Sequence, residues 1–439
     1  MNLNRKILAE FHDWKERKGH KPLLLYGARQ VGKTYAVKQF GETRYQDTAY
    51  FNIEDDDRIA TVFEHDFDIS RLIGELSLLH GRPIKAGETL IIFDEVQSSN
   101  RILSSLKYFN ENAPQYDIIA TGSLLGLSVG TGKYSFPVGK VDNVRMYPLD
   151  FEEFLSALGH DQYAAHIRAC FANNEKSFLH EELLRLYRLY LVIGGLPKVV
   201  TRYLAEEDLF AAREEQTALD ANYVSDMAWY IDALEAGRTL EAWRSLPHQL
   251  AKENRKFQYR VVKSGGRAYQ YESAIFWLKA AGLVYTCCRT SDGTPPYMAD
   301  NMGTFFKAYS FDTGMLCAKM VRDPSVIVLE SPAENPSLSD TFRGALAENY
   351  VMQAMSANGI EPFYWASSGI AELDFLFQDS KGNAVPLEVK SGERVRSKSL
   401  SEFMKRYKPP CGIRISTRNF GMENDIKSIP LYAVFCLTS

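Results

Sequence analysis

Residues 27–34 read Gly-Ala-Arg-Gln-Val-Gly-Lys-Thr, a full GxxxxGK[ST] run directly after the apolar stretch 23–26 and ahead of a helix-forming one. Glycines let such a backbone wrap a phosphate chain, and a helix N-terminus behind the loop aims N–H groups at negative charge. In that arrangement Lys33 reaches the β- and γ-phosphates and the Thr34 hydroxyl ligates Mg²⁺. Gly27, Ala28, Arg29, Gln30, Val31, Gly32 and Tyr35 complete the expected nucleotide-binding stretch. A second run, TLIIFDE at 89–95, carries four apolar residues into Asp94 and Glu95, at the carboxyl end of a strand where open α/β sheets bind ligands. Asp94 is expected to support Mg²⁺ through water, and Glu95 to act as the general base that polarises the attacking water. A third run, DIIATGS at 117–123, ends in Thr121 and Ser123, which suit a γ-phosphate sensor and equally suit ordinary turn formers. There is no NKxD guanine-reading motif, so ATP is the expected nucleotide.

A second candidate site lies at 348–390. Phe342, Leu346 and Tyr350 are spaced as on a helix, which sets Glu348 beside the apolar Ala345, Val351 and Met352. ELDFLFQ (372–378) alternates as a strand, with Leu373, Phe375 and Phe377 on one face and Asp374 on the other. VPLEVKS (385–391) alternates likewise, with Glu388 and Lys390 opposite its apolar face, and DSKGN (379–383) makes a five-residue hairpin loop. Pairing 378 with 384 sets Asp374 directly opposite Glu388, and two facing carboxylates repel unless a cation sits between them. Lys390, on the same face, supplies a positive group for a phosphorane-like transition state. A helix glutamate, a strand aspartate and E-x-K resemble the core of the PD-(D/E)xK nuclease and resolvase superfamily. The resemblance implies Asp374 and Glu388 as metal ligands, Lys390 as the catalytic lysine and Glu348 as the helix carboxylate. The same residues also suit the charged, solvated face of a two-stranded ribbon. Arg394, Arg396, Lys398, Lys405, Arg406 and Lys408 follow, a stretch able to track a phosphate backbone or to form a solvated helix face.

The elements that must position these groups are legible in the apolar rhythm. LLLY (23–26), TAYFNI (48–53), TLIIF (89–93) and DIIAT (117–121) alternate with periodic stretches around 33–40, 67–80 and 99–112, the signature of a parallel sheet with helices on both faces. From Pro148 to about Tyr230 the pattern is mainly helical, broken at Gly194-Gly195-Leu196-Pro197. A helix at 241–253, a basic segment with Arg255, Lys256, Arg260, Lys263 and Arg267, a helix from 271 that ends at Gly282 and a β-rich piece have the rhythm of a winged helix. The second helix also suits an amphipathic core element. Residues 321–339, with Pro324, Pro332 and Pro336, suggest a linker, and an α/β unit runs from about 340 to the end.

The 439 residues carry a net charge of −4, so any nucleic-acid binding must come from a local basic surface. Six cysteines at 170, 287, 288, 317, 411 and 436 lack metal-ligand spacing and are expected as reduced thiols of a cytoplasmic protein. Residues 2–18 suit an amphipathic helix and not a leader, and no run of about twenty apolar residues is present to span a membrane.

GARQVGKT (27–34), IIFDEVQ (91–97), TGS (121–123), YPLDFEEFL (147–155), IGGLP (193–197) and KAYSFDTGML (307–316) together resemble the AAA-type P-loop ATPases of bacteria and archaea whose C-terminal part is a domain of unknown function. Gly139-Lys140 stands where that family carries a glycine-arginine pair, so no arginine finger is carried over to Arg145. The expected architecture is α/β: a P-loop ATPase domain with a parallel sheet (1–147), a helical lid (148–240), a winged-helix-like segment (241–320) and a PD-(D/E)xK-like α/β domain (340–439). Two functions fit. In one, Mg·ATP hydrolysis is coupled to a nuclease-like module that binds or cleaves DNA. In the other, an ATP-dependent switch uses its C-terminal modules only to bind a partner protein or nucleic acid. Homo-oligomerisation is compatible with both.

Overall fold

Short runs that are apolar on both faces favour strands covered on both sides. In the computed structural model such runs become β1 (Leu23–Tyr26), β2 (Asp47–Asn52), β3 (Thr89–Asp94) and β4 (Asp117–Gly122). With β5 (Asp142–Arg145) they form an all-parallel sheet in the order β2-β3-β4-β1-β5. The structure describes residues 3–123, 137, 139–252, 255–300, 305–328, 339–367, 371–392 and 398–438. It divides into two units, residues 4–147 with 280–282, and residues 1–3, 148–279 and 283–439.

In the first unit the helices Lys33–Arg44, Ile69–His80 and Asn100–Asn112 stand where periodicity places them. Asp68 and Ser99 cap the latter two by accepting the N–H groups of Arg71 and Ile102. Leu72, Leu76, Leu106 and Phe109 pack with Ile91, Phe93 and Ile118 in one buried cluster. The strand β5 is not legible in the apolar rhythm: Asp-Asn-Val-Arg has a single apolar residue, and it becomes a strand by pairing with β1 at Leu23↔Asp142 through Tyr26↔Arg145. Pairing, not propensity, makes it.

The second unit carries helices at Phe151–Ala157, Asp161–Asn173, His180–Ile193, Pro197–Glu206 and Leu209–Tyr230, with the expected break at Gly194. Its eight-stranded mixed sheet has the order β12-β13-β11-β10-β9-β8-β6-β7. These strands are β6 (Val284–Thr290), β7 (Phe306–Ser310), β8 (Phe363–Ala366), β9 (Glu372–Gln378), β10 (Ala384–Val389), β11 (Gly412–Ser416), β12 (Gly421–Glu423) and β13 (Ile426–Pro430). The helix expected at 241–253 begins earlier, as Ala233–Leu250, because Asp232 caps it. The β6–β7 hairpin of the winged-helix-like rhythm is not a free wing: β6 also pairs in parallel with β8, so the hairpin belongs to the same sheet as the 340–439 strands. Within the stretch suggested as a linker, Ser325–Val328 is a short helix, and 329–338 lie outside the described residues.

Three of the motifs that carry the family resemblance meet at one buried carboxylate. Asp312 is fully buried; its Oδ2 accepts the Gly195 N–H at 2.7 Å and its Oδ1 accepts the Met315 N–H at 2.9 Å, capping the helix Thr313–Met320. The Gly195 carbonyl accepts the Leu149 N–H at 2.7 Å, so close that a Cβ on Gly195 would lie 2.0 Å from the Leu149 oxygen. The Tyr190 hydroxyl donates to that oxygen at 2.6 Å and accepts from Gln353 Nε2 at 3.0 Å. From the helix Asp340–Ala357, Asn349 exchanges two hydrogen bonds with the Ser310 backbone, and Gln353 Oε1 accepts the Thr313 N–H at 2.9 Å.

Burial raises the Asp312 carboxyl to about 6 against the opposing pull of the Gly195, Met315 and Gly314 N–H groups. A folded value above the unfolded one means that this group stabilises fully below about pH 4 and that the contribution is lost as pH rises through about 6. Asp312→Asn should lose one buried hydrogen bond, about 1–3 kcal/mol. In urea denaturation, the advantage of wild type over this variant should shrink between about pH 4 and pH 6. An advantage that grows over that interval would refute the assignment.

Candidate functional site

β1 runs straight into the loop 27–32, and the helix Lys33–Arg44 follows with Gly32 as its N-cap and no side-chain cap. Gln30 and Gly32 both adopt positive φ, 67° and 97°, as in backbone nests that bind anions. Gly27 sits against the chain leaving β5: its φ is 155°, and a Cβ there would lie 2.2 Å from the Met146 carbonyl oxygen. Lys33 is 6% exposed, and its Nζ donates to the Gly27 and Ala28 carbonyls at 3.1 and 2.9 Å. Burial lowers its ammonium to about 8, with Glu95 and Asp94 pulling the other way.

Asp94 closes β3 in a buried position as the hub of the site. Its Oδ2 accepts from the Thr34 hydroxyl at 2.7 Å and the Tyr50 hydroxyl at 2.8 Å, and its Oδ1 accepts from Thr121 Oγ1 and from the Glu95 N–H. Glu95 adopts φ 56°, and its Oε2 accepts from Gln97 Nε2 at 2.6 Å and from Ser123 Oγ at 3.4 Å. Arg29 Nε donates to the same Ser123 hydroxyl at 3.4 Å, while Arg29 Nη2 lies 3.6 Å from Glu54 Oε1. The structure therefore brings together Arg29, Lys33, Thr34, Asp94, Glu95, Thr121 and Ser123. Thr121 contacts Asp94, whereas Ser123 joins Glu95 to Arg29; Tyr35 is 48% exposed. Thr34 and Asp94 present hard oxygens to one point, a donor set that fits Mg²⁺.

Three contributors escaped sequence reasoning. Buried Arg5 donates to the Val31 and Tyr147 carbonyls at 2.9 and 2.7 Å and so holds the loop from behind. Tyr50 and Gln97 orient the two β3-end carboxylates. Gln97 lies two residues from Glu95, so spacing could have flagged it; Arg5 had no signal beyond one basic residue among several.

In the second unit β9 and β10 pair from Gln378↔Ala384 to Phe375↔Leu387, the register set by the DSKGN loop. Asp374 lies just beyond, its Oδ2 accepting the Val389 N–H at 2.8 Å. Glu388, 4% exposed, pairs with Lys390 at 2.6 Å. Glu348 is fully buried, bound by Arg255, by the Tyr309 hydroxyl and by Lys307 Nζ at 3.2 Å. Lysines face each of the three carboxylates expected at this pocket. Among the described residues no group of three or more His, Cys, Asp or Glu is placed to hold a metal ion; Glu348 and Asp374 face Lys307, and Glu388 faces Lys390. Of the basic stretch, Arg394 and Arg396 lie outside the described residues. Lys398, Lys405, Arg406 and Lys408 are exposed on and just after the helix Lys398–Tyr407, which buries Leu400 and Phe403.

Residues 19–155 match the family model of an AAA domain. Residues 184–325 and 343–434 match two domains of unknown function, DUF8612 and DUF4143. The chain thus carries an AAA-type P-loop ATPase domain followed by two uncharacterised domains. Solved structures similar to it include the Walker-type ATPase of Pyrococcus abyssi, at 14% identity and TM-score 0.45, covering 73% of this chain and 96% of that one. The Aeropyrum pernix ORC2 protein matches at 12% identity and TM-score 0.33, covering 75% and 94%. The Aeropyrum pernix ORC1 protein in complex with DNA matches at 14% identity and TM-score 0.30, covering 75% and 95%. No curated protein matches.

The tight approach at Gly27 yields a prediction independent of the lysine. Gly27→Ala should displace the loop, since the obstructing atom is a backbone oxygen, and weaken Mg·ATP binding at least tenfold in calorimetric titration. Unchanged affinity would mean that the loop conformation is not the binding one.

Proposed function

We propose that the first unit binds Mg·ATP and hydrolyses it, and that the second unit is a nuclease-like architecture that binds a partner without cleaving nucleic acid. The observation that carries the first part is the convergence of Thr34, Asp94 and Glu95 behind a glycine-shaped loop whose lysine is desolvated. Thr34 and Asp94 would hold Mg²⁺, whose chemistry there would be to neutralise phosphate charge. Lys33 would turn from the Gly27 and Ala28 carbonyls to the phosphates, exchanging two loop hydrogen bonds for contacts with full negative charge. Glu95, oriented by Gln97 and Ser123, would take a proton from the attacking water as its oxygen bonds to the γ-phosphorus and ADP departs.

For the second unit, the reading as a DNA-cleaving module has the Asp374–Glu388 strand pair and Lys390 in its favour. The pairing of these carboxylates with lysines favours the reading as an ATP-governed binding module. Among the described residues no helix is long and apolar enough to cross a membrane.

Lys33→Ala should abolish nucleotide binding or turnover while the circular dichroism spectrum stays native; unchanged affinity and turnover would discard the loop's assigned role. Glu95→Gln should separate the two steps. It should bind Mg·ATP with near wild-type affinity and hydrolyse it about 10²- to 10⁴-fold more slowly in a phosphate-release assay. Hydrolysis within about twofold of wild type would remove Glu95 as the water-activating group.

A further inference from the structure

Lys307 lies on β7, in the hairpin that precedes the 340–439 strands, and its side chain is 2% exposed. Its Nζ is 3.2 Å from Glu348 Oε1, 3.2 Å from Glu372 Oε1 and 3.9 Å from Asp374 Oδ1. The same carboxylates are held from their other sides: Arg255 and Tyr309 on Glu348, Lys256 at 3.0 Å on Glu372, and the Val389 N–H on Asp374. Glu348, Glu372 and Asp374 therefore face Arg255, Lys256 and Lys307, three negative charges against three positive ones. A desolvated carboxylate such as Glu348 persists as an ion only when it is paired and hydrogen-bonded, and an ammonium has three N–H donors to share among such partners.

The nuclease-like resemblance calls for a divalent cation between the strand carboxylates Asp374 and Glu388, with the helix carboxylate Glu348 at the edge of the site. A hard dication would need oxygens at about 2.0–2.6 Å. It would share that space with a buried ammonium of like sign. The remaining strand carboxylate, Glu388, one position beyond the Phe375↔Leu387 pair, is itself paired with Lys390 at 2.6 Å. The residues present do not fit the metal.

We infer that Lys307 is a built-in cation that takes the place of a divalent metal between the helix carboxylate Glu348 and the strand carboxylate Asp374, leaving the nuclease-like sheet charge-balanced without a metal. This deepens the reading of the second unit as a non-cleaving module. It also gives the ammonium a structural task, since the hairpin segment is thereby joined by a buried ion pair to the helix Asp340–Ala357 and by a half-buried one to β9.

The test uses the full chain and Mn²⁺ as the probe, counted by electron paramagnetic resonance titration without nucleotide. Wild type, Asp374→Asn and Glu388→Gln should bind the same number of Mn²⁺ ions with affinities within twofold. A wild-type Mn²⁺ site that either substitution removes would overturn the inference. If that site also cleaves single- or double-stranded DNA in a Mn²⁺-dependent way, the non-cleaving reading falls with it; a removable site without cleavage overturns the inference alone. Lys307→Met should melt lower than wild type by about 10 °C, as expected for leaving buried carboxylates unbalanced, whereas Lys307→Arg should stay close to wild type. A Lys307→Met protein that melts with wild type would overturn the inference, and if it does not fold, the Mn²⁺ counts decide.

Discussion

The second unit is organised around one buried carboxylate. Asp312 cannot reach water, so its oxygens must find donors inside the protein, and they find them in the Gly195 and Met315 amides. Satisfying it requires the turn at Gly194-Gly195, which in turn presents the Gly195 carbonyl to Leu149 and requires a residue without a Cβ. Tyr190 and Gln353 then use the polar groups that remain on the same path. Four stretches far apart in the chain are thus mutually dependent: each supplies the hydrogen bond that another would otherwise lack. Such networks specify one arrangement because a partly satisfied version is costly.

The first unit uses the same economy at its ligand end. Asp94 gathers Thr34, Tyr50, Thr121 and the Glu95 amide, so the side chains around the phosphate-loop motif are set by one carboxylate at the end of a strand buried on both faces. Lys33 is held in reserve on loop carbonyls, and Arg5 braces the loop from behind. The parallel sheet supplies rigidity; the glycine loop supplies close approach.

The C-terminal carboxylates follow a different logic. There the chain has gathered charges of both signs around the buried Glu348 and Lys307, and they pair with one another. The hairpin β6–β7 carries Lys307 into that cluster because it is built into the same sheet through β6 and β8. The segments matched by the two domains of unknown function therefore share one sheet and one ion network.

By itself the sequence determined what is local. The spacing of Gly27, Gly32, Lys33 and Thr34 between an apolar strand and a helix located the loop, the apolar run before Asp94 and Glu95 located the strand end, and a five-residue loop of turn formers set the β9–β10 register. These are consequences of period, turn chemistry and backbone freedom over a few residues. Only tertiary structure decided what depends on partners remote in the chain. It made a strand of the polar β5 by pairing it with β1, placed Arg5 behind the loop, and fused the hairpin at 284–310 to the later strands. It also set Lys307 beside Asp374, sixty-odd residues on, and so placed a buried ammonium against a strand carboxylate. The sign and position of a buried counter-charge are properties of three-dimensional packing, and no periodicity along one strand or helix encodes them.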